Sequence, residues 1–257
     1  MEIPLILKLK KQAHKDIARA QYIITKELYN IFDKAVLHGG TAIWRCYDGN
    51  RFSEDIDSYI PRDKKKIDFF FNKLNEKGFI IKKKKIGEKS LFSKMELNRT
   101  IVRFEALFKK HAGSLKEYKT ADGNLITVYA LTPEEIVKEK VNAYLKRQKI
   151  RDLYDIFFLL RSIKDKRTIS KELKKLISQF KKPVDEKELK VLIIEGLIPD
   201  QEKIMQLTHE RGKGEVLWPL RVAFSGKDAS PGPLEIMEAL EEKEAKRRIE
   251  IAIEKLA

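Results

Sequence analysis

The spacing of apolar positions changes character along the chain, from short strand-like alternation in the first half to helical recurrence from about residue 132. Residues 11–33 read as a helix, followed by an apolar strand at 35–38, a short amphipathic helix at 41–47 and a second strand at 55–60. Between 64 and 77, Ile67, Phe70, Phe71 and Leu74 recur at helical spacing and predict an amphipathic helix. Strand-like segments follow at 79–86, 91–97 and 100–108, then the turn Ala121-Asp122-Gly123-Asn124 ahead of a strand at 125–130. Thr132-Pro133-Glu134-Glu135 is a helix start, with an N-cap threonine, proline in the first turn and glutamate at the third helical position. Helices at 133–148 and 150–163 follow, and Tyr154, Phe157 and Phe158 are expected in the core. The pattern predicts an α+β fold, a mixed sheet followed by a helical half, with no internal repeat. Three parts are expected: residues 1–130 as an α/β core, 131–200 as its helical part, and 201–257 as a small α-helical tail, short for a core of its own.

The chemistry concentrates in residues 36–60, VLHGGTAIWRCYDGNRFSEDIDSYI. The apolar strand runs into Gly39-Gly40-Thr41 at the start of a helix, and Asp55-Ile56-Asp57 lies in the next strand. Strand alternation puts Asp55 and Asp57 on one face and Ile56 on the other. Two like charges there repel unless something cationic sits between them. Glycines let backbone approach phosphate oxygens, a helix N-terminus offers free N–H groups, and paired carboxylates hold a hard cation. A lone glycine pair is usually a tight turn and a lone D-x-D a solvated strand edge. In this order and at this spacing they describe a site for Mg²⁺, with Mn²⁺ as an alternative, and a triphosphate.

The pattern GGTA-x(8)-R-x-S-x-DID, here Gly39, Gly40, Thr41, Ala42, Arg51, Ser53, Asp55, Ile56 and Asp57, resembles the AbiEii/AbiGii toxin family, a branch of the polymerase-β-like nucleotidyltransferases. The likeness continues through LTPEEIVKEKVNAYLKRQKIRDLYDIFFLL at 131–160 and covers about residues 15–200. It implies that Asp55 and Asp57 hold the metal and that Gly39, Gly40, Thr41, Arg51 and Ser53 meet the nucleotide. The family's E-K-x-x-A motif matches Glu139, Lys140 and Ala143, which implies that Lys140 meets the triphosphate and offsets charge at the α-phosphate. Its R-D-x-x-D motif matches Arg151, Asp152 and Asp155. The two aspartates share a helical face and either orient Lys140 or contact the nucleotide; an acidic first turn also simply suits the helix dipole. In TIVRFEALF, Arg103 and Glu105 share a strand face. Glu105 is the candidate third carboxylate, completing the metal shell or acting as general base, with an ion pair to a lysine as the alternative.

Charge adds a partner class. The formal net charge is +15 and the pI near 9.6, so the surface attracts polyanions. The runs Lys64–Lys66 and Lys82–Lys85 read either as solvated faces or as nucleic-acid contacts. The single cysteine, Cys46, excludes an intramolecular disulfide, fits a reducing cytoplasm and reads as core filler. No run of apolar residues is long enough to span a membrane, and no cleavable signal pattern opens the chain.

The tail carries a second resemblance. Gly212-Lys213-Gly214, Leu217-Trp218-Pro219-Leu220-Arg221-Val222-Ala223, Ser225-Gly226-Lys227 and Ser230-Pro231-Gly232-Pro233 resemble the C-terminal anticodon-binding end of bacterial-type glutamyl-tRNA synthetases. One departure is the missing glycine near Glu241. The catalytic signatures of a synthetase are absent, which excludes aminoacylation. Such a tail marks either a functional fusion or a join by rearrangement. Together the two resemblances imply an NTP-dependent nucleotidyltransferase acting on RNA, tRNA above all, and restrained by a separate antitoxin protein. The alternative is a non-catalytic RNA-binding module with a vestigial transferase site.

Overall fold

The computed structural model describes residues 5–9, 11–188, 221, 236, 244, 247–251 and 254. In chain order it contains α1 (Leu5–Lys8), α2 (Gln12–Ile31), β1 (Val36–His38), α3 (Gly39–Cys46), β2 (Asp55–Ile60), α4 (Lys64–Glu76), β3 (Ile80–Ile86), β4 (Ser90–Leu97), β5 (Thr100–Phe108), β6 (Ser114–Lys119), β7 (Leu125–Ala130), α5 (Pro133–Arg147), α6 (Ile150–Leu160), a 3₁₀ turn (Lys166–Ile169) and α7 (Ser170–Ser178). The strands form one mixed sheet in the order β3-β4-β5-β2-β1-β7-β6. The β1–β7 and β2–β5 pairs are parallel and the others antiparallel. Fold class is therefore α+β, as the pattern predicts.

The alternation of β2 sets the layout. Ile56, Ser58 and Ile60 are buried on one face, and Asp55, Asp57 and Tyr59 lie on the other. Ile56 pairs with Phe104 of β5, whose ring meets Phe70 of α4 with centroids 5.2 Å apart. That contact joins Ile67, Phe71 and Leu74 of α4, and Ile24 and Leu28 of α2, in one core. Burial of these side chains supplies most of the stabilisation, at about 1.5–3 kcal/mol for each large residue. The capping box of α5 forms as expected: Thr132 Oγ1 accepts from Glu135 N–H at 3.3 Å and Glu135 Oε2 accepts from Thr132 N–H at 2.9 Å.

The structure adds elements that the pattern does not show. SLKEYK of β6 is an edge strand in which only Tyr118 is buried, so it carries almost no apolar alternation. Helix α7 buries only Leu176, and α1 is a single turn. One expectation fails. Phe158 is buried and Tyr154 half-buried, but Phe157 is 63% exposed. The buried stripe of α6 runs through Asp152, Asp155, Ile156 and Leu159, and Phe157 falls outside it. Cys46 packs against the core, and burial pushes its thiol up to about 12, which leaves it protonated.

The chain divides into two compact units, residues 1–195 and 196–257. In the second unit the described residues, Arg221 and 247–251 among them, are helical. The glycine- and proline-rich motif of the tail lies outside the described residues, Arg221 apart. Among the described residues no helix is long and apolar enough to cross a membrane.

Candidate active site

Gly39 and Asp57 meet where β1 passes into α3. His38 pairs with Asp57 across the β1–β2 ladder, which brings the first turn of α3 over the β2 carboxylates. Gly39 has φ +69°, a conformation that costs a residue with a side chain about 1–2 kcal/mol. A Cβ at Gly39 would lie 2.2 Å from Asp57 Oδ2, so the carboxylate fills the space that any side chain would take. A Cβ at Gly40 would lie 2.6 Å from Ser53 Oγ and 2.8 Å from Arg51 Nη2. The glycine pair is therefore required by close approach, and Arg51 and Ser53 stand directly against it. Thr41 spends its hydroxyl on the backbone carbonyl of Asp55, pinning α3 to β2, which leaves its backbone N–H for a ligand.

The two β2 carboxylates differ in their surroundings. Asp55 is held by Arg103, with Nε–Oδ1 at 2.5 Å and Nη2–Oδ2 at 2.8 Å. Burial, then Asp55 and Glu139, push the Asp57 carboxyl above the ordinary carboxylate range, against the opposing pull of His38 and Lys140. Glu105 pairs in register with Asp57 and is exposed. Packing around it and the charges of Asp57 and Asp55 push its carboxyl up as well. The register neighbour of Glu105 is thus Asp57, and among the described residues it forms no ion pair with a lysine.

Above the carboxylates, α5 and α6 bring in a buried ion network. Lys140 Nζ lies 2.6 Å from Asp155 Oδ2 and 3.7 Å from Asp152 Oδ1. Arg51 bonds Asp155 in a fork at 3.0 and 2.8 Å, and Arg147 bonds Asp152 in another at 2.7 and 2.7 Å. Burial raises the Asp155 carboxyl, but Lys140 and Arg51 outweigh it and hold it below its usual range. Three cations thus face two carboxylates, and the charge of Lys140 also acts on Asp57. Asp155 and Asp152 both stand within ion-pairing distance of Lys140. Arg151 is exposed and, among the described residues, outside this network.

The sequence reading missed a second cluster. His38 Nδ1 lies 3.2 Å from Glu139 Oε2, Tyr59 donates its hydroxyl to Glu139 Oε1, and the His38 and Tyr59 rings stack at 4.2 Å. Despite burial, the bonds from His38 and Tyr59 hold the Glu139 carboxyl below its usual range. The clue in the sequence was His38 immediately before the glycine pair and Glu139 immediately before Lys140. Arg103 was visible as a face-mate of Glu105, but its partner Asp55 lies on another strand and only the β2–β5 register reveals it.

The profile of the nucleotidyl transferase AbiEii toxin family, described as a type IV toxin–antitoxin system, matches residues 27–211. The chain belongs to that family. It is a nucleotidyltransferase by that membership, and its seven-stranded mixed sheet with flanking helices agrees with the fold expected from the motifs. A profile of an anticodon binding domain matches residues 201–253, overlapping the first over 201–211. Glutamate–tRNA ligase of Lachnoclostridium phytofermentans is 53% identical over 45 residues, which are 17% of this chain and 9% of the ligase, so the chain spans about a tenth of that protein. A putative nucleotidyltransferase from H. pylori aligns over 97% of this chain and 99% of its own, at 17% identity and TM-score 0.47. JHP933 from Helicobacter pylori aligns over 96% of each chain, at 15% identity and TM-score 0.47.

Nucleotidyltransferases of this kind generally use divalent metals, and the donors here suit a hard cation. They are all oxygen: Asp55 and Asp57 on one strand face, with Glu105 beside Asp57. Among the described residues no group of three such side chains already stands at metal-holding distance, and Asp55 is engaged by Arg103. Two carboxylates with substrate phosphates and water completing the shell is the arrangement Mg²⁺ favours, so the residues fit.

Proposed function

We propose that the protein transfers a nucleoside monophosphate from an NTP to a hydroxyl of RNA, tRNA above all, and releases pyrophosphate. The observation that carries this reading is the contact of Gly39 with Asp57. It sets a helix N-terminus with free backbone N–H groups against a strand carboxylate, with no room for a side chain between them. A triphosphate and a carboxylate-held cation both fit such a junction.

When bound, Mg²⁺ supplies charge neutralisation between the Asp55–Asp57 pair and the phosphates. The remaining steps belong to the chain. The N–H groups of Gly39, Gly40 and Thr41 donate to phosphate oxygens, and Arg51 and Ser53 border them. Lys140, fixed by Asp155, meets the charge that develops on the α-phosphate. The acceptor oxygen bonds to the α-phosphorus as the α–β bridging P–O bond breaks, and pyrophosphate leaves with that electron pair. Glu105, whose carboxyl is pushed up by its surroundings, takes the proton of the attacking hydroxyl. Arg103 is ion-paired with Asp55, so a metal held by Asp55 would compete with that pair.

Family membership supports a toxin role checked by a separate antitoxin protein, and the anticodon-binding match supports tRNA as the acceptor class. Incubation with each labelled NTP, Mg²⁺ and total RNA tests the reading. Label in RNA that depends on Asp57 is expected. RNA bound without label transfer would favour the non-catalytic RNA-binding alternative.

A further inference from the structure

Strands β4 and β5 have one covered face and one open face, and β3 at the sheet edge is exposed at every position but Ile81. On the covered face Leu91, Ser93 and Met95, and Val102, Phe104 and Ala106, are buried. On the open face Lys83, Lys85, Lys94 and Glu105 are exposed, Phe92 and Arg103 are half-buried, and Leu107 is 44% exposed. The register carries this face to the carboxylates. Lys83 pairs with Lys94, Lys94 with Arg103, and Arg103 with Asp55. In the adjacent row Lys85 pairs with Phe92, Phe92 with Glu105, and Glu105 with Asp57. Paired residues share a face, so along these two rows the open surface runs from the sheet edge to Asp55 and Asp57, beyond the register shift between Ile81 and Lys83.

Lysines on an edge strand commonly serve to discourage strand pairing. That accounts for β3, but Lys94 and Phe92 lie on β4, an inner strand. Among the described residues neither Lys85 nor Lys94 is in an ion pair, and Lys83 Nζ lies 5.8 Å from the centre of the Phe92 ring. A basic surface with an accessible aromatic ring suits a single-stranded nucleic acid, which supplies phosphates to the lysines and a base to the ring. A folded protein on this face would bury the same ammonium groups and need carboxylates in register with them.

We infer that the open face of β3–β5 is the platform that binds the acceptor RNA and delivers its end to Asp57. The inference rests on the proposed transfer to RNA and adds where that RNA lies. Three inter-strand steps separate Lys83 from Asp55, about 14 Å at the usual strand spacing. That is the length of about four stacked nucleotides.

The test compares the full chain, the triple variant Lys83→Gln/Lys85→Gln/Lys94→Gln, and a control triple variant at exposed lysines of the helical half, Lys171→Gln/Lys174→Gln/Lys187→Gln. Binding of a labelled single-stranded oligoribonucleotide and of total tRNA is titrated at several KCl concentrations. NTP binding and thermal melting are recorded alongside. The platform variant should bind RNA at least tenfold more weakly. Its plot of log affinity against log salt should be shallower by about 2, for three lost phosphate contacts. NTP affinity and melting should stay level, and the control variant should match the parent chain. Equal slopes for the platform variant and the parent, or an equal loss in the control, would overturn the inference while leaving transfer to RNA standing. Equal slopes with self-association lost in the platform variant would assign the face to a second copy instead. A parent chain that neither binds nor labels RNA would remove the reading on which the inference rests, and the inference with it.

Discussion

The carboxyls of Asp57 and Asp155 are shifted in opposite directions. Burial and neighbouring carboxylates raise the Asp57 carboxyl in the folded chain. A raised folded value stabilises the fold below the ordinary value of 3.8, and that contribution is lost as pH rises through the folded value. Above that folded value the ionised Asp57 therefore opposes folding. Asp57→Asn should abolish transfer while leaving stability level or higher, with the gain shrinking as pH falls; denaturant titrations at neutral and acid pH check this. Asp155 is held below its ordinary value by Lys140 and Arg51. Its contribution is present above 3.8 and lost as pH falls through the folded value. Asp155→Asn should cost about 3 kcal/mol at neutral pH, because it leaves Lys140 and Arg51 buried without their shared carboxylate. Equal behaviour of the two variants would contradict the separate environments drawn here.

Lys140 can be removed with less damage to the fold, since Arg51 still serves Asp155 and Arg147 still serves Asp152. Lys140→Ala should weaken NTP binding and turnover by about ten- to a hundred-fold, the equivalent of a charge-assisted bond of about 1.5–3 kcal/mol. Lys138→Ala should do neither. A loss on changing Lys138 in place of Lys140 would mean that the other lysine meets the phosphates.

At the scale of elements, the Gly39 turn is where strand, helix and site become one constraint. Gly39→Ala forces a side chain into a positive-φ position and against Asp57. The Asp57 carboxylate is the part able to move. The variant should lose about 1–2 kcal/mol of stability from the backbone alone, and Mg²⁺-dependent NTP binding should fall in step with the displaced carboxylate. Calorimetric NTP titration with and without Mg²⁺ reads this, and unchanged Mg²⁺ dependence would separate the turn from the metal pair. Most elements were legible because each carries a local signal: the glycine pair, the alternation of DIDSYI, and the capping box of α5. β6 was not, because an edge strand with one buried residue has no periodicity to read. Phe157 was misplaced because FF in an apolar run gives no phase, and the buried carboxylates of α6 define the inward stripe. The site's composition was visible in the sequence, whereas its wiring was not. The forks from Arg51 to Asp155 and from Arg103 to Asp55 join residues far apart in the chain, and only sheet register and helix packing bring them together.

For the whole molecule, two family matches meet near residue 200. All the ion pairs of the candidate site end at Asp155, well inside the first compact unit. Deleting residues 201–257 should leave NTP affinity close to that of the full chain, while weakening tRNA binding and flattening its salt dependence. Identical salt slopes would make the tail a passenger. Loss of NTP binding would show that residues 201–211, where the two matches overlap, belong to the transferase fold.

The central claim is that the Asp55–Asp57 pair supports nucleotidyl transfer. It is tested most directly by incubating the full chain and Asp57→Asn with α-³²P-labelled NTPs, Mg²⁺ and total RNA, with pyrophosphate measured in parallel. RNA label and pyrophosphate are expected in equal amounts from the full chain, neither without Mg²⁺, and neither from a folded Asp57→Asn. Label and pyrophosphate from Asp57→Asn at the rate of the full chain would contradict the claim.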